Sequence, residues 1–211
     1  MAERPPETSD VDARVRAACE RRDWEEATTT ALGAYGPEIL TFLLALHRSP
    51  ADAEEAFSVF AERLWSSMSR WERACSTRTW AYMLARRASR DVRRAEGARA
   101  KRQVVLSQGS EIGKLVAQVR TQTLSIYAQE KKDAIALLRD ELPEEDRLLL
   151  VMRVDRELEW QELARVFLEG EEPTPEDLKR ESARLRKRFQ LVKERLLTMG
   201  RERGLLRHDD D

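Results

Sequence analysis

Two helix-start signatures constrain the fold of this 211-residue chain more than any other feature of its sequence. Ser49–Asp52 and Thr174–Asp177 each place a hydroxyl side chain at the N-cap, proline at the first helical position and an acid in the first turn. Apolar residues at helical spacing follow both starts, and no stretch alternates as a half-buried strand does. The sequence therefore predicts an all-α fold. The expected inward-facing residues are Ala53, Ala56, Phe57, Phe60 and Leu64 after the first start, and Leu178, Leu185, Phe189, Val192 and Leu196 after the second.

Glycine and proline at positions 36 and 37 predict a break between two helices nearer the N-terminus. Trp24–Leu32 is helical by composition, and Pro37 suits the first turn of the next helix, which is strongly apolar over Ile39–Leu46. Under this interpretation no segment approaches the length of a membrane span. The first ten residues are polar, are expected to be disordered and lack the apolar run of a signal peptide.

The segment Arg78–Arg94 predicts a helix with one apolar side and one basic side. Trp80, Leu84 and Ala88 fall on one stripe, while nine basic residues and only two acids lie between positions 78 and 102. Guanidinium groups bind phosphates well, and neighbouring aromatic side chains favour nucleic acid as the partner. A solvated helix face, or pairing of some arginines with Asp91 or Glu96, is the alternative. The residues expected to contact DNA are Trp71, Arg86, Arg87, Arg90, Arg93 and Arg94.

The last third of the chain predicts a helix-turn-helix. Trp160–Phe167 forms a short helix, a turn follows, and the helix that starts at Thr174 is basic on its outer face over four turns. Residues 141–177 contain thirteen acids and four arginines, whereas residues 178–203 contain ten basic residues and three acids. Such sign asymmetry favours a polyelectrolyte partner, although the basic face could instead bind an acidic protein or residues 141–177 of its own chain. The residues expected to face DNA are Lys179, Arg180, Ala183, Arg184 and Lys187.

The composition gives no indication of catalysis. With 36% charged residues and two unpaired-looking cysteines, the chain is expected to be soluble, cytoplasmic and free of disulfides or zinc sites. Neither His47 nor His208 lies near a plausible serine or cysteine partner in sequence, and no glycine-rich phosphate loop occurs. The acids of residues 144–146 are interpreted as favourable charges at a helix N-terminus rather than as metal ligands. We therefore predict no enzyme activity, no cofactor and no metal.

In this order, the motifs resemble a bacterial RNA polymerase sigma factor of the extracytoplasmic-function type. Asp52–Phe57, closing at Arg63–Trp65, resembles the polymerase-clamp helix of that family. Thr79–Arg86, with Asp91, Arg93 and Arg94 after it, is similar to the helix that opens the promoter and reads the −10 element. Leu142-Pro143 with Arg147, followed by Trp160–Ala164, is similar to the −35-binding domain. The polymerase contacts that the resemblance implies are Asp52, Glu54, Glu55 and Arg63.

The resemblance also implies an organisation and a set of partners. It predicts a region 2-like domain over residues 11–98, a flexible and partly helical linker over 99–130, a region 4-like domain over 131–207 and an acidic tail over 208–211. The implied partners are the clamp and flap of core polymerase, promoter DNA and an anti-sigma factor, without membrane insertion. The implied function is promoter recognition in DNA-templated transcription initiation. The alternative is a helix-turn-helix regulator that acts without polymerase. This alternative explains the last third of the chain but gives no role to the clamp-like helix.

Overall fold

The computed structural model describes residues 8–47, 49–72, 74–95, 110–129, 134–168 and 173–205. Every regular element in these ranges is helical, so the all-α prediction is confirmed. The chain divides into a first unit, Met1–Ala128, and a second unit, Gln129–Asp211. Three predicted segments lie outside the described residues: positions 1–7 of the disordered start, most of the linker before α5, and the acidic tail. Positions 8–10, which were also expected to be disordered, belong to α1. The helices are α1 Thr8–Glu20, α2 Trp24–Leu46, α3 Pro50–Ser67, α4 Thr77–Ala95, α5 Glu111–Gln129, α6 Ala134–Asp140, α7 Glu144–Leu150, α8 Trp160–Phe167 and α9 Pro175–Glu202.

The core of the first unit lies between α2, α3 and α4, and α1 packs across α2. The inward-facing residues predicted for α3 and for the apolar stripe of α4 are all buried. Phe42 of α2 meets Tyr82 of α4 edge to face, with ring centroids 5.1 Å apart. His47, just after α2, places Nε2 2.9 Å from the Ser89 hydroxyl of α4 in the interior. The same three helices therefore carry both the core and the candidate functional surface.

The predicted break at positions 36 and 37 is wrong, because α2 continues through Pro37 from Trp24 to Leu46. An interior proline costs about 3 kcal/mol or more, through its missing N–H and its clash with the preceding turn. Leu32, Ile39 and Leu40, on the two sides of the proline, are completely buried. Each such side chain contributes about 1.5–3 kcal/mol. Burial of one continuous apolar helix therefore outweighs the local cost of Pro37.

The continuous α2 also changes the expectation about membrane spans. Helix α2 has 23 residues, and its most apolar 18-residue window has a mean hydropathy of 1.2. Among the described residues, it is the one helix that is long and apolar enough to cross a membrane. However, 56% of its most apolar window is buried inside the protein. A core helix of a helical domain passes the same test of length and composition, and the burial of α2 corresponds to that case.

Helix α5 contains the described part of the region that the sequence assigned to a linker. Its apolar residues Ile112, Val116 and Val119 are buried, and the methyl groups of Val119 lie 3.4 Å from the position that a Cβ on Gly36 would occupy. Arg120 forms an ion pair with Glu54 of α3. This helix therefore packs on the first unit, since its apolar stripe has a surface of α2 and α3 to bury against.

The second unit is built around α9. Leu142, Leu150 and Val192 form a cluster against which Phe189, Leu196 and Met199 pack. The N-terminal half of α9 packs on α8, where Leu163, Phe167, Leu178 and Leu185 are buried. Val192, further along α9, packs with Leu142 and Leu150 instead of with α8. The reason is that α9 is much longer than α8 and its C-terminal half reaches α6 and α7.

Candidate nucleic-acid and polymerase interfaces

The N-terminus of α4 is fixed by residues from two parts of the chain. The Thr79 amide donates to the Ser76 hydroxyl at 3.1 Å, and the Thr77 amide donates to Asp12 Oδ1 of α1 at 2.8 Å. A carboxylate at this position satisfies an orphan amide and interacts favourably with the helix dipole. The start of α4 is therefore held by a tertiary contact that no local sequence pattern reveals.

Trp71 and Trp80 form a stacked aromatic pair at the entrance to α4. The indole rings are 4.7 Å apart between centroids and 9° from parallel. Trp80 is buried, whereas Trp71, which follows the 3₁₀ turn Met68–Arg70, is half-buried. The buried indole thus supports a partly exposed one, an arrangement suited to stacking an unpaired base, which contributes about 1–3 kcal/mol per base.

The arginines of α4 do not form the single exposed stripe that the sequence predicted. Arg86 is only 6% exposed, so the expectation that it lies on an open basic face is wrong. Arg93 is half-buried and donates from Nη2 to the Leu46 carbonyl at 2.8 Å, where it satisfies the C-terminus of α2. Arg87 and Arg90 are half-buried, and Arg94 is exposed. The difference arises because α4 packs on α2 and α3 over more than one side.

An internal polar network, which the sequence analysis missed, anchors the first turns of α4. Arg78 forms an ion pair with Glu38 of α2, and its Nε lies 3.1 and 3.2 Å from the two carboxylate oxygens. The Tyr82 hydroxyl donates to the same carboxylate at 2.7 Å. Glu38 is the only acid in the apolar half of α2, which is the signal that could have indicated a buried partner. Arg78 is consequently part of the scaffold.

The four residues of α3 that were expected to bind polymerase differ in their surroundings. Glu54 pairs with Arg120 of α5, and Arg63 pairs with Asp91 of α4. Asp52 is half-buried and Glu55 is exposed; neither forms an ion pair within the described residues. Ser49 occupies the N-cap position of α3 as predicted, but its side chain makes no capping hydrogen bond. Glu55 is therefore the most accessible of the four.

In contrast, the predicted outer face of α9 is open. Thr174 and Asp177 form a capping box, with the Asp177 amide donating to Thr174 Oγ1 at 3.2 Å and the Thr174 amide donating to Asp177 Oδ2 at 3.3 Å. Arg180 pairs with Asp177 at 2.6 Å, yet its side chain remains 80% exposed. Arg184 pairs with Glu181 at 2.6 Å, and this hydrogen bond raises the pKa of the Arg184 guanidinium. All five residues that were expected to face DNA are exposed: Lys179, Arg180, Ala183, Arg184 and Lys187.

Part of the acidic stretch before α9 is neutralised within the second unit. Asp146 is buried and accepts from Arg188 Nε at 2.6 Å and from Arg195 Nη1 at 3.5 Å. Arg203 donates to Glu141 at 2.5 Å, which raises the pKa of Arg203. The alternative that α9 pairs with residues 141–177 therefore holds for these arginines and for Arg180, whose partner is Asp177.

Residues 32–99 match the family model for sigma-70 region 2. Over this segment, the chain is similar to sigma-70 region 2. The segment covers most of α2 and the whole of α3 and α4, which are the helices that form the core of the first unit. A sigma-70 region 2 domain supports a role in promoter recognition and transcription initiation, with core RNA polymerase and promoter DNA as partners. Searches of curated proteins and of solved structures found no match to the chain.

Within this segment, the match includes Trp71, all of the α4 arginines and the four expected polymerase contacts on α3. The match ends before the second unit, so it gives no support for a function of α8 and α9.

Proposed function

We propose that the chain is a sigma factor of the extracytoplasmic-function type that acts in the cytoplasm and directs core RNA polymerase to specific promoters. The observation that supports this proposal is the combination of a segment similar to sigma-70 region 2 with a second unit in which the consecutive helices α8 and α9 pack together, as expected of a helix-turn-helix. In that unit, the second helix begins at a capping box and exposes its five predicted DNA-facing residues. The protein contributes recognition and no catalysis of its own.

At the −10 element, the proposed contacts are those that the fold leaves accessible. Trp71 stacks on an unpaired base, supported from below by Trp80. Arg87, Arg90 and Arg94 contact the phosphates. Arg86 and Arg93 hold α4 in place through the interior and through the end of α2, and they are not part of this proposal.

At the −35 element, α9 enters the major groove with its N-terminal part toward the bases. Lys179, Arg180 and Ala183 lie in the first turns and are placed to meet base edges, as in other helix-turn-helix proteins. Arg184 and Lys187 lie further along and contact phosphates, which fix the register of the helix. The pairing of Arg180 with Asp177 is compatible with this role, because an exposed ion pair of neighbouring turns is weak and easily exchanged for a base contact.

For polymerase, the proposed contacts are Glu55 and Asp52 of α3 on the clamp, with the second unit on the flap. Glu54 and Arg63 are engaged with Arg120 and Asp91, so binding through them requires those ion pairs to open. An anti-sigma factor that covers one of these surfaces completes the proposed set of partners.

The test is reconstitution with cognate core polymerase. The purified chain is mixed with core enzyme and genomic fragments, and the 5′ ends of the transcripts are sequenced. The expected result is a stable complex and initiation at a set of sites that share −10 and −35 elements. Glu55→Lys should weaken complex formation, whereas Glu25→Lys, an exposed acid of α2 outside the region 2 match, should leave it unchanged. A chain that binds specific duplex sites but forms no complex with polymerase would instead be a helix-turn-helix regulator.

A further inference from the structure

Six of the nine cations of α9 fall into two groups on opposite flanks of the helix. At 100° per residue, Arg184, Arg188 and Arg195 lie within roughly 40° of one another about the helix axis. All three pair with acids of their own unit: Arg184 with Glu181, and Arg188 and Arg195 with Asp146. In the free protein, these three charges are therefore balanced by acids of the same unit.

The opposite flank carries Lys179, Arg186 and Lys193, also within roughly 40° of one another and roughly 180° from the first group. All three side chains are exposed. None forms an ion pair with an acid in the part of the chain that the structure describes. Arg186 and Lys193 were not among the residues that the sequence predicted to face DNA, and the structure shows that they lie on the same side of α9 as Lys179.

Two of the unpaired cations, Arg186 and Lys193, lie over aromatic rings. The Arg186 guanidinium lies 5.6 Å from the centroid of Trp160, and Lys193 Nζ lies 5.4 Å from the centroid of Phe189. Trp160 meets Phe189 at 5.7 Å, edge to face, so the two rings form one surface beneath the flank. A cation over a ring gains about 0.5–1 kcal/mol at an exposed site, but the ring does not neutralise its charge.

A further cation comes from the turn before α8. Arg153 lies in the π-helical turn Val151–Asp155, with its guanidinium 4.9 Å from the Trp160 centroid, and donates to the Leu158 carbonyl at 2.8 Å. Trp160 consequently has two guanidinium groups within 6 Å of its ring. Like Arg186, Arg153 forms no ion pair within the described residues. Concentration of positive charge in this way is costly unless an anion is present.

We propose that Arg153, Arg186 and Lys193, here called the Trp160 flank, form a binding surface for the phosphate backbone of duplex DNA, whereas Lys179, at the N-terminal end of the same side, is directed to the bases. The proposal rests on the proposed function and adds the side on which α9 meets the DNA strand. Arg186 and Lys193 are separated by about 10 Å along the helix, enough to reach phosphates a few nucleotides apart on one strand. The rings restrain Arg186 and Lys193 before binding, which lowers the entropy lost when they meet phosphates.

The experiment compares two double variants that each remove two positive charges, one from the Trp160 flank and the other from the opposite flank and the C-cap of α9. Arg186→Gln with Lys193→Gln neutralises the Trp160 flank. Arg195→Gln with Arg203→Gln is the matched control, because both arginines are exposed and ion-paired, and Asp146 keeps Arg188 as a partner. The binding constant for a random-sequence duplex is measured against salt concentration, for the full chain alone and for its complex with core polymerase.

The Trp160-flank variant should lower the slope of log K against log salt by about 0.9 per lost contact, close to two units in total. The control should keep the parental slope. Arg186→Lys with Lys193→Gln retains one of the two charges, so its slope should change by half as much as that of the flank variant. Equal losses in the two double variants, or an unchanged slope in the flank variant, would overturn the proposal. Loss of polymerase binding with an unchanged DNA slope would also overturn it, by showing that the flank meets an acidic protein. The proposed function fails separately, if the parent forms no polymerase complex.

Discussion

The two basic helices, α4 and α9, look alike in sequence but are used differently by the fold. Along α4, polar side chains reach across the first unit: Arg78 to Glu38, Asp91 to Arg63 and Arg93 to the Leu46 carbonyl. Along the outer face of α9, the predicted cations stay exposed, and the acid partners of Arg180 and Arg184 lie one turn away on the same helix. Several charged side chains of α4 therefore stabilise the first unit, whereas the predicted cations of α9 are exposed to solvent.

The difference follows from how many sides of each helix are packed. Helix α4 contacts α1, α2 and α3, so even Arg86 and Ser89 are buried. Helix α9 contacts α6, α7 and α8 along one apolar stripe, which leaves the opposite side to solvent. A basic stripe in a sequence therefore indicates an exposed binding surface only when the helix packs along a single side.

The largest expected effect tests the internal use of charge near α4. Glu38→Ala removes the carboxylate that pairs with Arg78 and accepts the Tyr82 hydroxyl, where both side chains of the ion pair are about one-fifth exposed. We expect the free energy of unfolding to fall by about 1–3 kcal/mol. Denaturant unfolding of the full chain measures this, with Glu55→Ala as a control that should change stability by less than about 0.5 kcal/mol. Equal stability of the two variants would contradict a scaffold role for Arg78.

The converse effect is expected on α9. Arg180→Ala should reduce promoter affinity by about 1–3 kcal/mol and relax the preference at one −35 position, because the side chain is exposed in the first turns of the helix. Its thermal stability should be nearly that of the parent. Binding to a set of single-base −35 substitutions is the measurement. Uniform losses at every position would argue against base reading by Arg180, and a marked drop in stability would identify its pair with Asp177 as structural.

Neighbouring arginines of α4 offer the sharpest internal comparison. Arg94 is exposed, whereas Arg93 is bonded to the end of α2. Arg94→Ala should lower the salt slope of promoter binding by about one unit and leave stability unchanged. Arg93→Ala should lower the melting temperature, since the Leu46 carbonyl loses its donor. Salt titrations and thermal unfolding of both variants decide the matter; the reverse assignment of effects would show that the two roles have been exchanged.

These contrasts show which features the sequence could predict. Apolar spacing identified the buried faces of α3 and α4, and the capping box at Thr174 located the start of α9, because both depend on residues within one or two turns. The continuity of α2 through Pro37 and the burial of Arg86 depend on partners far away in the chain. Local patterns contain no information about those partners. The Trp160 flank was missed for the same reason, since Arg153 and Arg186 come together only through the π-helical turn and the packing of α8 on α9.

The smallest expected effect concerns how the two helices begin. Helix α4 takes its capping carboxylate from Asp12 of α1, but α9 caps itself, and the hydrogen bonds from the Thr174 side chain and backbone hold the pKa of Asp177 below its usual 3.8, with a lesser contribution from Arg180. Because the folded-state pKa is lowered, the stabilisation is present above the unfolded-state pKa and is lost as pH falls through the folded-state value. Thr174→Val removes the hydroxyl, so the pKa of Asp177 should rise toward 3.8. Carbon-detected NMR titration of the carboxyl group measures it, and coincident titration curves for parent and variant would show that the capping box does not set this pKa.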